Sequence, residues 1–513
     1  MTKGNTYIRF INASLIRKLL FILAPFTSLY LVLFVELDPN NSAVTATLAI
    51  AIWIAVWWVT EIIPLGITSL LPVVLFPLLG VMNGKEVSTA YFNHVIFLFI
   101  GGFLVALAIQ KWNLHKRIAL VILEIVGNSP GRLLFGFMFT TSFLSMWISN
   151  TATAMLMVPI IISITQKLEI LNGKKAVQLF AVGLLLAVAY SASIGGIATL
   201  VGTPPNLSFI RIFEIYFPNA PEISFSTWMK FALPISIIMF IVTWTYLYYI
   251  FVKKGGSWKS VDRNMLKDEL KSLGPMSYEE KAVSVVFITL ALLWMFRSSL
   301  TIGSFEIPGW ANLFNNPSYI NDGTVAIAMA ILLFIIPSKQ KKEGFLMDWK
   351  TAEGLPWEII LLFGGGFALA TGFKESGLSN WFGEQLVFLD GVSPLLLILI
   401  ITFLITFLTE ITSNTATVET LLPILAGLAI SIQVNPLLFM IPATVAGSFA
   451  FMLPVATPPN AIIFGTRKVT IFQMAKTGFL LNLFGIIIIT LMTYFWGTDI
   501  LGIELNVFPS WAK

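Results

Sequence analysis

Residues 133–165 read LLFGFMFTTSFLSMWI-SNT-ATAMLMVPIIISIT, two apolar runs of 16 and 14 residues on either side of Ser149-Asn150-Thr151. As helices these arms reach only about 21–24 Å, short of the roughly 30 Å of hydrocarbon in a bilayer. A polar tripeptide between two short apolar arms predicts a re-entrant hairpin with its tip at membrane depth. Non-helical backbone is tolerated there only where it is buried in protein or lines a wet cavity. The device recurs as Pro394–Thr412, then Ser413-Asn414-Thr415, then Ala416–Ile432, with longer arms.

The remainder of the chain supplies the membrane. Of its 513 residues 57% are apolar and 11% charged, with a mean hydropathy of +0.87. Soluble domains are about a quarter charged, so the chain reads as an all-α integral membrane protein. The absence of cysteine excludes disulfides, thiolate metal sites and redox motifs. His94 and His115 are the only histidines; both fall near predicted membrane boundaries, where local hydrogen bonding accounts for them. The cluster Trp53, Trp57 and Trp58 reads as a lipid-facing or interfacial belt.

Beyond the hairpins, apolar spans are read near 16–35, 43–62, 65–82, 94–110, 177–201, 229–252, 281–297, 323–337, 357–372, 436–455 and 477–497, eleven in all. The first is not a cleaved signal, since it lacks a small-residue cleavage site and further spans follow. With the N-terminus inside, 25 of the 31 Lys and Arg fall in inner segments, as the positive-inside rule requires. Counting either hairpin as a full span scrambles that bias. The net charge of +5 therefore reads as topology, not nucleic-acid affinity, and the C-terminus is expected outside.

The chain also repeats itself. Phe99-Ile-Gly-Gly-Phe103 resembles Phe363-Gly-Gly-Gly-Phe367, and Ser149-Asn-Thr-Ala-Thr153 recurs as Ser413-Asn-Thr-Ala-Thr417, both at an offset of 264. Thr203-Pro-Pro-Asn206 recurs as Thr457-Pro-Pro-Asn460 at 254. One hairpin enters from inside and the other from outside, so the repeat is inverted. Inverted repeats with broken helices at matching positions are the signature of a secondary transporter with a midplane site. The anticipated organisation is a tail and first span (1–42), a first repeat (43–252, hairpin 133–165), and a cytoplasmic linker (253–281). A second repeat (282–497, hairpin 394–432) and an extracellular tail (498–513) follow.

A break at Ser-Asn-Thr exposes the first N–H groups of the next helix, which attract anions, and the Asn amides and Thr hydroxyls of Asn150, Thr151, Asn414 and Thr415 add neutral donors. Two such cradles suit a molecule with two carboxylates. The Pro-Pro pairs interrupt the helix, and carbonyls freed at Gly202 and Ala456 can coordinate a small hard cation. No Lys or Arg lies between Leu133 and Gln166 or between Pro394 and Thr466. A buried dianion without a basic partner is costly, so co-bound Na⁺ on oxygen ligands is expected. Glu410 and Glu419 flank the second tip, and an intramembrane carboxylate is a functional candidate; a proton-coupled mechanism could use Glu410. Their counterparts at the 264 offset are Met146 and Met155, so neither belongs to the repeated core, and with Glu61 and Glu124 they are read as structural or peripheral.

The paired Ser-Asn-Thr tripeptides, the paired Thr-Pro-Pro-Asn loops and the segment Ser448-Phe-Ala-Phe-Met-Leu-Pro-Val-Ala-Thr-Pro-Pro-Asn460 resemble those of the divalent anion:sodium symporters, over nearly the whole chain. Bacterial sodium-coupled dicarboxylate transporters of that family are the most similar. The resemblance implies a homodimer in the cell membrane, each protomer with a scaffold and a transport domain interleaved across both repeats and moving as an elevator. It implies C4-dicarboxylates such as succinate, fumarate and malate as substrates, held by Asn150, Thr151, Asn414 and Thr415 with Thr203, Thr457 and Pro458. It further implies one sodium site at Ser145, Ser149, Asn150 and Gly202, and a second at Thr409, Thr412, Ser413, Asn414 and Ala456. Ser145 and Thr409 share the 264 offset.

The leading expectation is Na⁺-driven dicarboxylate uptake by alternating access, with two or more co-transported ions. A Na⁺-independent dicarboxylate exchanger is the alternative. A channel would show charged pore rings. An intramembrane enzyme would need a nucleophile with a His partner at depth, which the sequence does not offer.

Overall fold

The computed structural model describes residues 3–127, 129–253, 263–302, 305–340, 344–505 and 507–513. The chain opens with α1 (Lys3–Phe34) and α2 (Ser42–Thr60), then the short α3 (Leu65–Thr68), α4 (Leu71–Leu78) and α5 (Gly84–Ala90). After α6 (His94–Lys111) and α7 (Leu114–Val126) come the first hairpin arms, α8 (Pro130–Ser145) and α9 (Asn150–Asn172). A broken helix follows as α10 (Lys174–Gly196) and α11 (Pro204–Tyr216), then α12 (Phe225–Leu247). Within the anticipated linker, α13 (Arg263–Ser272) is helical, and residues 254–262 lie outside the described residues.

The later part repeats the order. It runs α14 (Tyr278–Met295), α15 (Asp322–Ile335), α16 (Trp349–Ala352), α17 (Trp357–Glu375) and α18 (Leu378–Gln385). The second hairpin arms are α19 (Pro394–Leu408) and α20 (Asn414–Ser431), and the second broken helix is α21 (Leu437–Ala446) with α22 (Pro458–Gly465). The chain finishes with α23 (Ile471–Leu491) and α24 (Thr498–Ile500). Both α12 and α23 end in a π-helical turn, at Tyr248–Val252 and Met492–Gly497. One pair of strands interrupts the helices among the described residues: β1 (Leu300–Ile302) pairs antiparallel with β2 (Phe305–Ile307), Leu300 opposite Ile307. The strands hold β-branched and aromatic residues and lie outside the expected spans.

Nine described helices are long and apolar enough to cross a membrane. Four expected spans fall short of that measure. Leu65–Leu78, Asp322–Ile335 and Leu437–Ala446 are shorter apolar helices, and α14 opens with Glu279, Glu280 and Lys281. Conversely α9 runs 23 residues, to Asn172, about 35 Å. The apolar run ends at Thr165, but nothing stops the helix until Gly173, whose φ of 83° an ordinary side chain resists.

The ion pairs test the alternation of sides. Lys111–Asp348 (2.6 Å), Arg117–Glu280 (2.7 Å) and Lys468–Glu169 (3.1 Å) each join segments read as inner. Arg297 pairs with Asp322 (2.5 Å) and with Glu222, and Lys374 donates to the Ile215 carbonyl (2.5 Å), all in segments read as outer. No pair crosses from one set to the other among the described residues. Both free ends of the first hairpin keep to one side: Gly131 abuts Tyr248 and Glu169 reaches Lys468. In the second, Gly427 and Ser431 near the end of α20 abut Ser379 and Gly383 of α18, a few residues before α19 begins.

The centre of the molecule is α10 and α21, the corresponding members of the two broken helices. Every residue of α21, and every residue of α10 from Phe180 onward, is buried, as a helix apolar on all sides should be. The repeated glycine motifs are close-packing devices. A methyl group at Gly101 would lie 2.5 Å from the Ala326 carbonyl carbon, and one at Gly365 2.5 Å from the Ser69 carbonyl oxygen. Thus α6 presses on α15 and α17 on α3, each half pairing with the other. The tryptophans depart from the interfacial reading: Trp58 is 1% exposed and its Nε1 donates to Ser69 Oγ (3.1 Å), while Trp57 is buried against Phe21.

Candidate functional site

At each tripeptide the serine is the N-cap and the asparagine the first helical residue. Ser149 Oγ accepts from Ala152 N (3.2 Å), using that hydroxyl as a cap. The asparagines are fixed from the preceding arm, five residues back. Ser145 Oγ donates to Asn150 Oδ1 in a short bond, and Thr409 Oγ1 lies 2.6 Å from Asn414 Oδ1. Ser145 and Thr409 are fully buried. The same contact is therefore built twice at the same offset. Thr151 and Thr415 take the next position in each helix.

The unwound loops come to these tips differently. A methyl group at Gly196 would lie 2.8 Å from Asn150 Oδ1 and 3.1 Å from the Gly202 carbonyl. Asn150, Gly202 and the end of α10 thus share one small space, with Ser145 behind it. In the second half Thr409 Oγ1 also faces the Gly447 carbonyl (3.0 Å). Thr412 turns instead to the Leu408 carbonyl (2.8 Å) and to Thr417 Oγ1 (2.5 Å), and among the described residues no hydrogen bond joins Ala456 to the Thr409–Asn414 pair. Thr203 and Thr457 are buried N-caps of α11 and α22, Thr457 Oγ1 accepting from Asn460 N (3.3 Å), and Pro458 is exposed.

The second cluster holds more oxygens than hydrogens. The single Thr409 hydroxyl hydrogen faces two acceptors. Thr412 and Thr417 have two hydroxyl hydrogens for three contacts, since Thr417 Oγ1 also faces the Ser413 carbonyl (2.9 Å). Oxygen-rich, hydrogen-poor surroundings are what a hard cation prefers. No ion pair among the described residues involves a tip residue.

Three features escape motif reading. Asn206 Nδ2 donates to the Thr199 carbonyl (2.7 Å), and Asn460 Nδ2 to the Ala450 and Leu453 carbonyls (3.0 Å each). The last residue of each Thr-Pro-Pro-Asn is thus a clamp on the unwound loop before it, a role its repetition at 254 could have signalled. Thr199 ties that loop to the first tip, donating to the Met146 carbonyl (2.5 Å) and accepting from Gly202 N (3.1 Å). Glu410 gathers the N–H groups of Phe451, Met452 and Leu453 (2.7–3.0 Å) and the Asn482 amide (2.7 Å). These bonds tie the end of α19 to the loop after α21 and to α23. His94 and His115 make the local bonds expected of them, to Glu214 (3.1 Å) and the Ile109 carbonyl (3.2 Å). A cavity of about 640 Å³ lies elsewhere, between Phe213, Asn435 and the tail segment ending in Trp511 and Lys513.

Known proteins share this plan. The profile of the sodium:sulfate symporter transmembrane region matches residues 15–503. A sodium-dependent dicarboxylate transporter, SdcS, of Staphylococcus saprophyticus is 44% identical over 490 residues, covering 94% of this chain and 92% of its own length. SdcS of Staphylococcus aureus is 45% identical over 464 residues, 90% of this chain and 87% of its own. Among solved structures, the YdaH transporter of Alcanivorax borkumensis aligns with a TM-score of 0.56 at 13% identity, over 80% of this chain and 86% of that one; this is a likeness of fold alone. The duplicated tips, the duplicated loops and these matches have one explanation: the chain belongs to the sodium:sulfate symporter family, the divalent anion:sodium symporters that its motifs resemble.

Proposed function

We propose that the protein drives uptake of a C4-dicarboxylate such as succinate, fumarate or malate with Na⁺. The observation that carries this reading is the duplicated hydroxyl–amide pair, Ser145–Asn150 and Thr409–Asn414. Each pair sets a helix N-terminus and an amide N–H₂ toward a substrate carboxylate, and leaves an oxygen cluster behind it for a cation. Asn150, Thr151, Asn414 and Thr415 hold the two carboxylates, with Thr203, Thr457 and Pro458 lining the loops. Na⁺ occupies the Ser145–Ser149–Asn150–Gly202 cluster and the Thr409–Thr412–Ser413–Asn414–Ala456 cluster, the latter once Thr412 and Ala456 close on it. Relatives whose names specify sodium-dependent dicarboxylate transport support the substrate class.

In this reading the hairpins, broken helices, α12 and α23 form a transport unit that moves as an elevator against a frame of the remaining spans. The chain is a homodimer in the cell membrane with its N-terminus cytoplasmic, as the charge bias supports. Anything bound only by the folded state stabilises it by mass action. Succinate should therefore raise the unfolding temperature of the purified protein in Na⁺ and not in K⁺, and Asn150→Ala or Asn414→Ala should remove that increment. Stabilisation by succinate that ignores Na⁺ would contradict coupled binding.

A further inference from the structure

Glu419 takes no part in the machinery above. It projects from α20 into the junction with α11 and α17, and its exposure is 0%. Oε1 accepts one hydrogen bond, from Ser208 Oγ on α11 (2.8 Å). Oε2 is buried and has no partner among the described residues. The carboxyl fills the notch left by Gly366 on α17, where a methyl group would overlap it. Its counterpart in the first half, Met155, is exposed, so the feature belongs to the second hairpin alone.

None of the helices packed on α20 brings it a cation. On α11, Arg211 pairs with Glu214 (3.3 Å), which also meets His94. On α17 the charges stand at the ends: Glu358 accepts from Leu65 N (2.9 Å), Lys374 donates to the Ile215 carbonyl (2.5 Å), and Glu375 is exposed. Glu384 of α18 is exposed, and α2 and α21 carry no charged side chain. The phenols of Tyr91 and Tyr216 are engaged by the Ser69 carbonyl and by Ala370 and Ser379. Glu410 meets four N–H donors; Glu419 meets one hydroxyl. A buried carboxyl so placed carries a proton, because the charged form has neither water nor partners.

We propose that Glu419 is a proton-binding site, neutral in this arrangement, whose proton must be in place for α20 and α11 to seat against α17. Loss of H⁺ to water leaves a carboxylate that the junction cannot hold, so the ionised chain is excluded from this arrangement. The consequence for transport rests on the reading above, in which α11 and α20 move and α17 does not.

Two readouts test it on the full-length protein. Infrared spectra of purified protein should show a protonated-carboxyl band that titrates away at alkaline pH and is missing in Glu419→Gln. In proteoliposomes, Na⁺-driven uptake of fumarate, a dianion across the range, should fall by about tenfold per pH unit above the midpoint in wild type, and stay flat in Glu419→Gln. The same band or the same pH profile in both proteins would overturn the proposal. The infrared arm needs no transport: a band without Na⁺-driven uptake contradicts the functional reading and leaves the proton site standing, whereas uptake without the band overturns the site. Should Glu419→Gln not fold, Ser208→Ala removes the sole donor and should raise the frequency of the carboxyl band; an unmoved band overturns the assignment.

Discussion

The side-chain oxygens of Asn150 and Asn414 each meet a hydroxyl of their own hairpin, and in the proposed reading the amide nitrogens hold the substrate carboxylates. Hydrogen bonds to a charged partner are worth about 1.5–3 kcal/mol, so Asn150→Ala and Asn414→Ala should each weaken succinate binding about 10- to 100-fold, read by isothermal titration in Na⁺. Ser145→Ala and Thr409→Val remove a cluster oxygen without touching the amide nitrogens. They should raise the Na⁺ needed for half-saturation about tenfold while leaving binding at saturating Na⁺ close to wild type. These residues were legible because the chain writes them twice. Glu410 and Glu419 were not. Both are single glutamates near the second tip, and what separates them is tertiary: four backbone and amide donors around one, a glycine notch and one hydroxyl around the other.

The elements hold these residues through a few close contacts. Gly101→Val would drive its side chain into the Ala326 backbone, so α6 and α15 should separate and folded yield collapse, measured as the monodisperse fraction in detergent. In the segments read as outer, Arg297, 3% exposed, joins Asp322, whose other oxygen accepts from Phe225 N at the start of α12 (2.9 Å). Breaking a buried pair by removing one member costs about 3–5 kcal/mol, and Arg297→Met should lower the unfolding temperature accordingly; Glu222→Gln, on the exposed side, should change it little. In the segments read as inner, Lys111 beside Asp348, helped by the Thr351 amide, holds that carboxyl down to about 2. A depressed carboxyl contributes stability above its unfolded value near 4 and loses it as pH falls toward 2. Lys111→Met should therefore remove an acid-range loss of thermal stability that wild type shows. Sequence periodicity located the spans but not their ends: α9 outran its apolar stretch to Gly173, and the ribbon at 300–307 formed in a loop that hydropathy does not describe.

At the scale of the molecule, alternation of sides follows from charge, and the ion pairs agree with it segment by segment. Because the chain has no cysteine, single cysteines report sides cleanly. In right-side-out vesicles an impermeant thiol reagent should label Asp390→Cys and spare Ser272→Cys; the reverse would invert the topology. What the sequence could not supply is how the halves interlock, since α6 on α15 and α17 on α3 are contacts between halves whose glycines carry no address for their partners. The central claim is that Na⁺ and the dicarboxylate move together. The direct measurement is uptake of labelled succinate into proteoliposomes that start either empty or loaded with unlabelled succinate, under an inward Na⁺ gradient or with K⁺ in its place. Accumulation in empty vesicles that requires Na⁺, abolished by Asn414→Ala, is the expected result. Uptake that requires internal succinate and ignores Na⁺ would contradict it, and would make the protein an exchanger whose oxygen clusters are structural.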